Sequence, residues 1–310
     1  MRVEQLRRAD VEQHLHGLYE GEVRYAGDAF EGPGRSDIAV DNPVPSPPFW
    51  GTRVVKGIPL KEYASWLDED ALFKGQWGLK PARAGDGPGY EELVDVEGRP
   101  RLRGWLDELH TENLLEAAVV YGYFPCVSKG EDLILLDEHG SERARFTFPR
   151  RQSGRGLSLA DFFRPEESGE TDVVALQVVT VGPRIGAAIA ELFESSSYRD
   201  CLELHGLAVQ LAEALAECWH ARIRVELGIS GADPDELDGM FRTEYQGCRY
   251  SLSHPTCPDP ADGVKIADLL RSERIGVKLS EDFRLHPEQS AQAIVLHHPA
   301  ANHFNPGGPR

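Results

Sequence analysis

The stretch RYSLSHPTCPD, residues 249–259, combines residue types that could hold a small polar ligand. Arg249 offers a planar fork of N–H donors that matches a carboxylate. Gly247 and the nearby prolines predict a fixed, irregular backbone, whose N–H and C=O groups could hold the edge of a heterocycle. A structural turn whose arginine caps a helix end explains the composition equally well. The residues alone leave both interpretations open.

Three ionisable side chains recur at helical spacing in the segment LELHGLAVQLAEALAECWHARIRVEL. Glu213, Glu217 and His220 follow one face, beside an apolar stripe that predicts a helix packed on a core. Such an array could act as a general base. A solvated helix face with charges four residues apart explains it too. We favour this second interpretation because exposed pairs of that kind are common.

Histidines and cysteines give little indication of a metal site. His297 and His298 are adjacent, and neighbouring residues of a strand point to opposite faces, so these side chains and His303 do not readily share one metal. The five cysteines include no CxxC pair, which argues against a zinc knuckle or a disulfide framework and predicts reduced, mostly buried thiols. P-loop, HExxH, GxSxG and Rossmann patterns are absent from the sequence.

The elements that must position these residues are mainly strands in hairpin spacing. VVYGYFP and DLILLD flank a polar connection and predict a hairpin, while RARFTFP, DVVALQVVTVG and QAIVLHHP predict further strands. Helices are predicted from the segments ADLLRSERIGVKLSED and LELHGLAVQLAEALAECWHARIRVEL. An antiparallel sheet with helices packed on it is an α+β fold. We interpret residues 1–45 as an N-terminal arm or linker and residues 46–310 as the domain.

Composition limits the partners. The 310 residues carry a formal net charge of -18, which disfavours nucleic acid and anionic membranes as partners. No apolar run is long enough for a transmembrane helix, and the first residues lack the apolar middle of a secretory signal. We therefore expect a cytoplasmic protein with no membrane or nucleic-acid partner.

Several segments of the sequence, taken together and in order, indicate a family. The ordered segments are PPFWGTRVV, LDEDALFKGQWGL, VVYGYFPCVSKGED, LSLADFFRP, LHGLAVQLAEALAECWHARIR, EYQGCRYSLSHPTCPD, RIGVKLSEDFRLHPEQS and VLHHPAANHF. Over about residues 36–305 they resemble the C-terminal reactivation domain of cobalamin-dependent methionine synthases, in its actinobacterial form. The resemblance implies a single C-shaped α+β domain with a central twisted antiparallel sheet. It also implies a shallow groove that binds S-adenosylmethionine.

The chemistry that the resemblance implies is reductive methylation. A cobalamin-binding domain or protein carries cob(II)alamin, a flavodoxin-type reductant supplies one electron, and S-adenosylmethionine methylates the cobalamin to methylcobalamin. No catalytic side chain or metal is then needed, because the task of the protein is positioning. The sequence has neither a DxHxxG motif nor cysteines placed like the zinc site that activates homocysteine, so the chain alone cannot methylate homocysteine. An excised C-terminal piece and a stand-alone protein both fit. A non-catalytic docking module for a corrinoid protein is the alternative.

The resemblance also implies a set of ligand-binding residues. Arg249 falls on the arginine that grips the methionine carboxylate, and Ser251 falls on a position that contributes backbone contacts. Glu213 falls on a glutamate that accepts a hydrogen bond from the ligand. The family's aspartate falls on Asp68, with Asp70 as the alternative if the local alignment slips.

Two histidines depart from the family pattern. His254 and His303 stand where the family usually has tyrosines. An imidazole can still stack or donate a hydrogen bond, but a protonated His254 would disfavour a sulfonium. We therefore expect both residues at the S-adenosylmethionine site, with an affinity that differs from that of the family.

Overall fold

The computed structural model describes residues 8–17, 34–81, 88–150, 156–252, 256–257 and 259–301. In these ranges the α-helices are α1 Arg8–Gly17, α2 Leu60–Tyr63, α3 Tyr90–Leu93, α4 Arg99–Thr111, α5 Arg184–Glu194, α6 Tyr198–Glu226, α7 Leu237–Phe241 and α8 Asp262–Leu270. The strands are β1 Gly51–Lys56, β2 Ala118–Lys129, β3 Asp132–Leu136, β4 Glu142–Thr147, β5 Asp172–Thr180, β6 Cys248–Ser251, β7 Lys278–Leu279, β8 Leu285–His286 and β9 Ser290–Leu296.

A single large antiparallel sheet organises the described residues. Its strand order is β4-β3-β2-β5-β9-β6. Strand β1 lies on the same side of β2 as β3 does and pairs with the first half of β2. β5 lies at the centre, and all nine of its residues are buried. Its sequence DVVALQVVT is accordingly an almost continuous β-branched and apolar run, as a strand covered on both faces requires.

Both faces of the sheet carry a hydrophobic core. On β2, Val119, Tyr121 and Tyr123 point into the core beneath α6, whereas Ala118 and Val120 point into the core that includes α8. The alternation follows from the two-residue period of a strand. The α+β prediction is confirmed: helices pack on an antiparallel sheet.

Helix α6 is 29 residues long and forms the main support on one face. It packs along β5 and β9 and against the one-turn helical segments 64–66 and 71–76. The contact with segment 71–76 is close at Gly206, where a Cβ atom would come within 2.7 Å of the Gln76 Cβ. Trp77 adds a hydrogen bond from Nε1 to the Glu203 carbonyl at 3.0 Å. The chain before α4 is thereby held against α6.

The predicted hairpin is confirmed as β2 and β3, but β2 continues through Lys129, so part of the expected polar connection is strand. The segment LKEYASWLDEDALFKGQWGL folds as α2, a 3₁₀ turn and the π-helical segment 71–76. The largest difference concerns Arg249. The sequence predicts an irregular backbone there, whereas residues 248–251 form β6 and pair with β9.

The chain that precedes β1 contacts the domain through α1, which packs on α6, and again through the residues from 34 onward. The Arg35 guanidinium donates to the main-chain carbonyls of Asp161 and Phe163, both at 2.7 Å, and Ile38 is buried in the core beside α8. The boundary that the sequence predicts between residues 45 and 46 stays a prediction. These contacts show that the segment just before it packs on the sheet domain.

Candidate functional site

Arg249 lies on β6 between two glutamates of α6. Its Nε donates to Glu217 Oε1 at 2.8 Å, and its Nη2 reaches Glu217 Oε1 at 2.7 Å and Glu213 Oε2 at 2.8 Å. The Arg249 side chain is 9% exposed, that of Glu217 29% and that of Glu213 43%. One guanidinium is therefore shared by two carboxylates, one of which is much nearer to solvent than the other.

The backbone around Arg249 is fixed by sheet pairing and by one glycine. Arg249 pairs with Val295 in the β6–β9 ladder. Gly247, just before β6, has φ +86°, and a Cβ atom there would lie 2.5 Å from the Leu296 carbonyl oxygen. Only glycine tolerates both the left-handed conformation and this close approach. The start of β6, and with it the direction of Arg249, depends on that residue.

His220 completes the cluster from the next turn of α6. Its Nδ1 lies 3.4 Å from Glu217 Oε2, and its side chain is 0% exposed. The ring meets Tyr245 edge-on, with centroids 5.2 Å apart. The expectation of a solvated helix face is therefore wrong for His220, which is buried, and for Glu217, which is paired with Arg249, whereas the Glu213 side chain is 43% exposed. The face turns towards β6 and Tyr245, because Arg249 supplies the charge that makes burial of Glu217 tolerable.

Burial and charge together set the protonation states. Burial lowers the pKa of His220 to about 4, although Glu217 opposes the shift. Burial would raise the pKa of Glu217, but Arg249 and then His220 bring it well below its usual range. Burial would likewise lower the pKa of Arg249, yet Glu217 and Glu213 raise it above its ordinary value. At neutral pH the arginine is charged, Glu217 is ionised and His220 is neutral.

A cavity of about 350 Å³ opens beside this cluster. Glu213 and Glu217 belong to its wall, and the other residues that line it are Trp66, Asp68, Gln210, Ala214, Met240, Phe241, Thr243 and Tyr245. Arg249 is not among the described residues of the wall, and it reaches the cavity through its two glutamates. The cavity is therefore acidic and partly aromatic, with one cation behind its carboxylates.

The two aspartates named from the sequence lie in different places. Asp68 lines the cavity together with Glu213, and its Oδ1 accepts a hydrogen bond from the Ala71 amide at 2.9 Å. Asp70 binds the Lys74 ammonium at 2.7 Å and the Tyr90 hydroxyl at 2.8 Å, outside this wall. The structure brings Asp68 and Glu213 to one cavity and leaves Asp70 beside it.

The remaining residues named from the sequence have diverse positions. Ser251 Oγ accepts a hydrogen bond from Arg249 Nη1 at a long 3.4 Å. His254 and His303 lie outside the described residues. His297 binds Asp172 at 2.6 Å and His298 binds the Ala39 carbonyl at 2.8 Å, on separate partners. Within the described ranges no three His, Cys, Asp or Glu side chains are grouped as a metal site would need.

Sequence reasoning missed Tyr245 and Trp66, and it assigned Glu217 to a solvated helix face. Glu217 is bound to Arg249 as closely as Glu213 is, and its position one turn after Glu213 was the available signal. Tyr245 and Trp66 line the cavity, and neither their residue type nor their spacing marks them as site residues. Their presence depends on how the segments at residues 64–66 and 230–245 fold onto α6, which no local spacing reveals.

Comparison with known proteins assigns the family. Residues 102–308 match the family described as "Vitamin B12 dependent methionine synthase, activation domain". The chain belongs to this activation-domain family. It is 46% identical to a methionine synthase of Mycobacterium tuberculosis (strain ATCC 25618 / H37Rv), over 97% of this chain and 31% of that protein. It is 45% identical to the methionine synthase of Mycobacterium leprae (strain TN), with the same coverage.

A solved structure extends the comparison to three dimensions. This chain is similar to a crystal structure of the MetH reactivation domain bound to AdoHcy, with a TM-score of 0.75 and 25% sequence identity. The match covers 85% of this chain and 83% of that one. The chain spans about a third of the length of the methionine synthases that it matches. No helix in the described ranges combines the length and apolar character that a membrane crossing requires.

Proposed function

We propose that this activation domain binds S-adenosylmethionine in the cavity beside Arg249 and presents its methyl group to a cobalamin carried by another domain or protein. The observation that carries the proposal is the cluster of Arg249, Glu213 and Glu217 at the cavity, in a chain whose structural relative is bound to AdoHcy, S-adenosylhomocysteine. The methyl transfer would restore the active cobalamin of a methionine synthase.

The charges of the cavity suit this ligand. S-adenosylmethionine carries an ammonium, a carboxylate and a sulfonium, so it is a cation overall. One guanidinium and two glutamates leave the cluster with an excess of carboxylate, and Asp68 adds another acidic group to the same wall. An acidic cavity attracts a cationic ligand and stabilises its sulfonium. The aromatic side chains Trp66 and Tyr245 offer flat faces to an adenine.

Arg249 is the group that would hold the ligand's carboxylate. Two N–H groups on one guanidinium edge bind a carboxylate as a fork, which fixes its orientation as well as its position. Glu213 and Glu217 both bind Arg249. A ligand carboxylate therefore has to replace one of them, and the displaced glutamate is then available to the ligand's ammonium.

Asp68, rather than Asp70, is the aspartate that we assign to the site. Asp68 shares the cavity with Glu213, and one carboxylate oxygen is already fixed by the Ala71 amide. The other oxygen can accept a hydrogen bond from a ligand. Asp70 is occupied by Lys74 and Tyr90.

The residues of this chain bind and orient rather than transfer protons. We propose that a flavodoxin-type reductant reduces the cobalamin on its carrier domain or protein. The reduced cobalamin would supply the nucleophile for the methyl group. The site then needs to hold the methyl group in line with that nucleophile, and positioning of this kind accounts for a large part of many enzymatic rate enhancements.

The decisive experiment combines binding and transfer. Calorimetric titration of the chain with S-adenosylmethionine should give saturable binding. Mixing the chain with a cob(II)alamin-loaded partner, a one-electron reductant and methyl-labelled S-adenosylmethionine should place the label on cobalt. Absence of binding at millimolar ligand would overturn the proposal. Binding without transfer would instead support a docking module that has lost the reaction.

A further inference from the structure

We propose that His220 is a positioning residue of this site. It holds Glu217 against Arg249, so that Glu213 is the carboxylate that gives way to the ligand. The inference rests on the proposed function, because it concerns how the same cluster accepts the carboxylate of S-adenosylmethionine.

The two glutamates are held unequally. Glu217 is bound through both carboxylate oxygens: Oε1 by Arg249 Nε and Nη2 at 2.8 and 2.7 Å, and Oε2 by His220 Nδ1 at 3.4 Å. Among the described contacts, Glu213 has one partner, Arg249 Nη2 at 2.8 Å, and its side chain is more exposed. If Glu213 is displaced, water can replace its single contact. If Glu217 is displaced, the His220 N–H loses its acceptor.

His220 itself cannot easily turn away. Its ring is fully buried and meets Tyr245 edge-on. Arg224 lies 4.0 Å over the Tyr245 ring and donates to the Asp233 carboxylate from Nη2 at 2.9 Å. Because Nδ1 faces a carboxylate and the imidazole is neutral, the proton is assigned to Nδ1, which therefore donates to Glu217.

This arrangement leaves one edge of the guanidinium for a ligand. A guanidinium has two forked edges, one formed by Nε and Nη2 and the other by Nη1 and Nη2. Glu217 binds at the first edge. The second edge is occupied by Glu213 at Nη2 and by the long contact from Nη1 to Ser251 Oγ. A ligand carboxylate that displaces Glu213 gains this second edge while Glu217 keeps Arg249 in place.

The test compares two ligands in two variants of His220. His220→Phe keeps the size of the ring and removes the donor, whereas His220→Asn retains an N–H donor close to the Nδ1 position. The ligands are S-adenosylmethionine and 5′-methylthioadenosine, which lacks the amino-acid portion. We expect His220→Phe to weaken S-adenosylmethionine binding about tenfold, the scale of one lost hydrogen bond to a charged group. Binding of 5′-methylthioadenosine should stay unchanged, and His220→Asn should restore most of the lost affinity.

A matched control comes from the same helix. His205 is also buried on α6, about four turns before His220. His205→Phe should leave the affinity for both ligands unchanged, so a general cost of replacing a buried histidine would be visible there. Glu217→Gln should reproduce the selective loss of S-adenosylmethionine binding without altering His220, which keeps the test valid if His220→Phe fails to fold.

The outcomes separate the two proposals. If wild-type chain does not bind S-adenosylmethionine, the proposed function fails and this inference fails with it. If wild type binds but His220→Phe or Glu217→Gln binds S-adenosylmethionine normally, the positioning role alone is overturned. Equal losses for both ligands would also overturn it, because they would indicate a general disturbance of the cavity rather than misplacement of Arg249.

Discussion

Two buried arginines of this chain show how differently the same side chain can be used. Arg150 is 2% exposed and faces Asp161, whose side chain is 0% exposed. Arg150 Nη1 and Nη2 bind the two Asp161 oxygens at 2.6 and 3.1 Å, and the same nitrogens donate to the carbonyls of Gly156 and Gly34 at 2.6 and 2.9 Å. Its Nε lies 3.7 Å from Glu131 Oε1, so groups of the fold face both guanidinium edges.

Arg249 differs in how its two carboxylates are held. The second carboxylate near Arg150, Glu131, lies at 3.7 Å, whereas both carboxylates of Arg249 lie within 2.8 Å and the more exposed of them, Glu213, lines a cavity. Arg249 Nη1 has only a long contact to Ser251 among the described residues. A guanidinium whose terminal nitrogens are satisfied by groups of the fold stabilises that fold. One with an exchangeable partner beside a cavity can bind a ligand, and the predictions below test that contrast.

The largest expected effect is on stability at Arg150. Arg150→Ala leaves the Asp161 carboxylate buried without its cation, and breaking a buried ion pair typically costs about 3 to 5 kcal/mol. Urea unfolding should show this loss, while the folded fraction should bind S-adenosylmethionine with wild-type affinity. A loss below about 1 kcal/mol, or weakened ligand binding, would remove the distinction between the two arginines.

The pH dependence of stability sharpens the comparison, because the Arg249 cluster contains a histidine. The pKa of His220 is about 4 in the folded chain, below its ordinary value of 6.5. The unfolded chain therefore binds more protons between these values, so stability falls as the pH is lowered from 6.5 to 4, by at most roughly 3 kcal/mol. The free energy of unfolding, measured across this pH range, should change less steeply with pH for His220→Phe than for wild type. Identical slopes would contradict a buried, neutral His220.

Arg249→Ala should weaken both folding and binding, because it leaves the half-buried Glu217 without its cation. The variant loses a charged hydrogen-bonding partner of the ligand, which corresponds to about 2 kcal/mol or more in binding free energy. Calorimetry with S-adenosylmethionine measures the loss, and 5′-methylthioadenosine serves as the ligand without a carboxylate. Wild-type affinity for S-adenosylmethionine in this variant would show that Arg249 does not hold the carboxylate.

The smallest effect is expected at Glu213. Glu213→Gln should change the free energy of unfolding by less than about 1 kcal/mol, because the glutamate is 43% exposed and Glu217 continues to neutralise Arg249. Glu217→Gln should cost more, since it removes the partner of both Arg249 and His220. Denaturant unfolding of the two variants side by side gives the order, and the reverse order would contradict unequal binding of the glutamates.

The fold was accessible from the sequence where patterns are local. The β2–β3 hairpin, the central strand β5 and helix α6 follow from two-residue and 3.6-residue periods in contiguous stretches. Strand β6 was missed because it is four residues long and lies within a segment rich in turn-forming residues. Its pairing with β9 is a contact between distant parts of the chain.

The site was less accessible for the same reason. The neutralisation of Glu217 by Arg249 joins residues 32 positions apart, so spacing along α6 alone favoured a solvated face. The choice between Asp68 and Asp70 depends on which of them faces α6, and two residues of sequence separation do not determine that. Arg249 and Glu213 were named from their residue types and spacing and then assigned to ligand binding by resemblance to a family. The structure places them in contact, and their role in binding stays a prediction.

Because Gly206 has no side chain, segment 71–76 can lie close to α6, and this affects the cavity. Segment 71–76 approaches α6 at this residue, and the Asp68 carboxylate caps the same segment through the Ala71 amide. Glu213 lies seven residues, or about two turns, further along α6. A methyl group at residue 206 would push the segment outward and carry Asp68 away from Glu213. The absence of one carbon atom thus helps to set the width of the cavity two turns away.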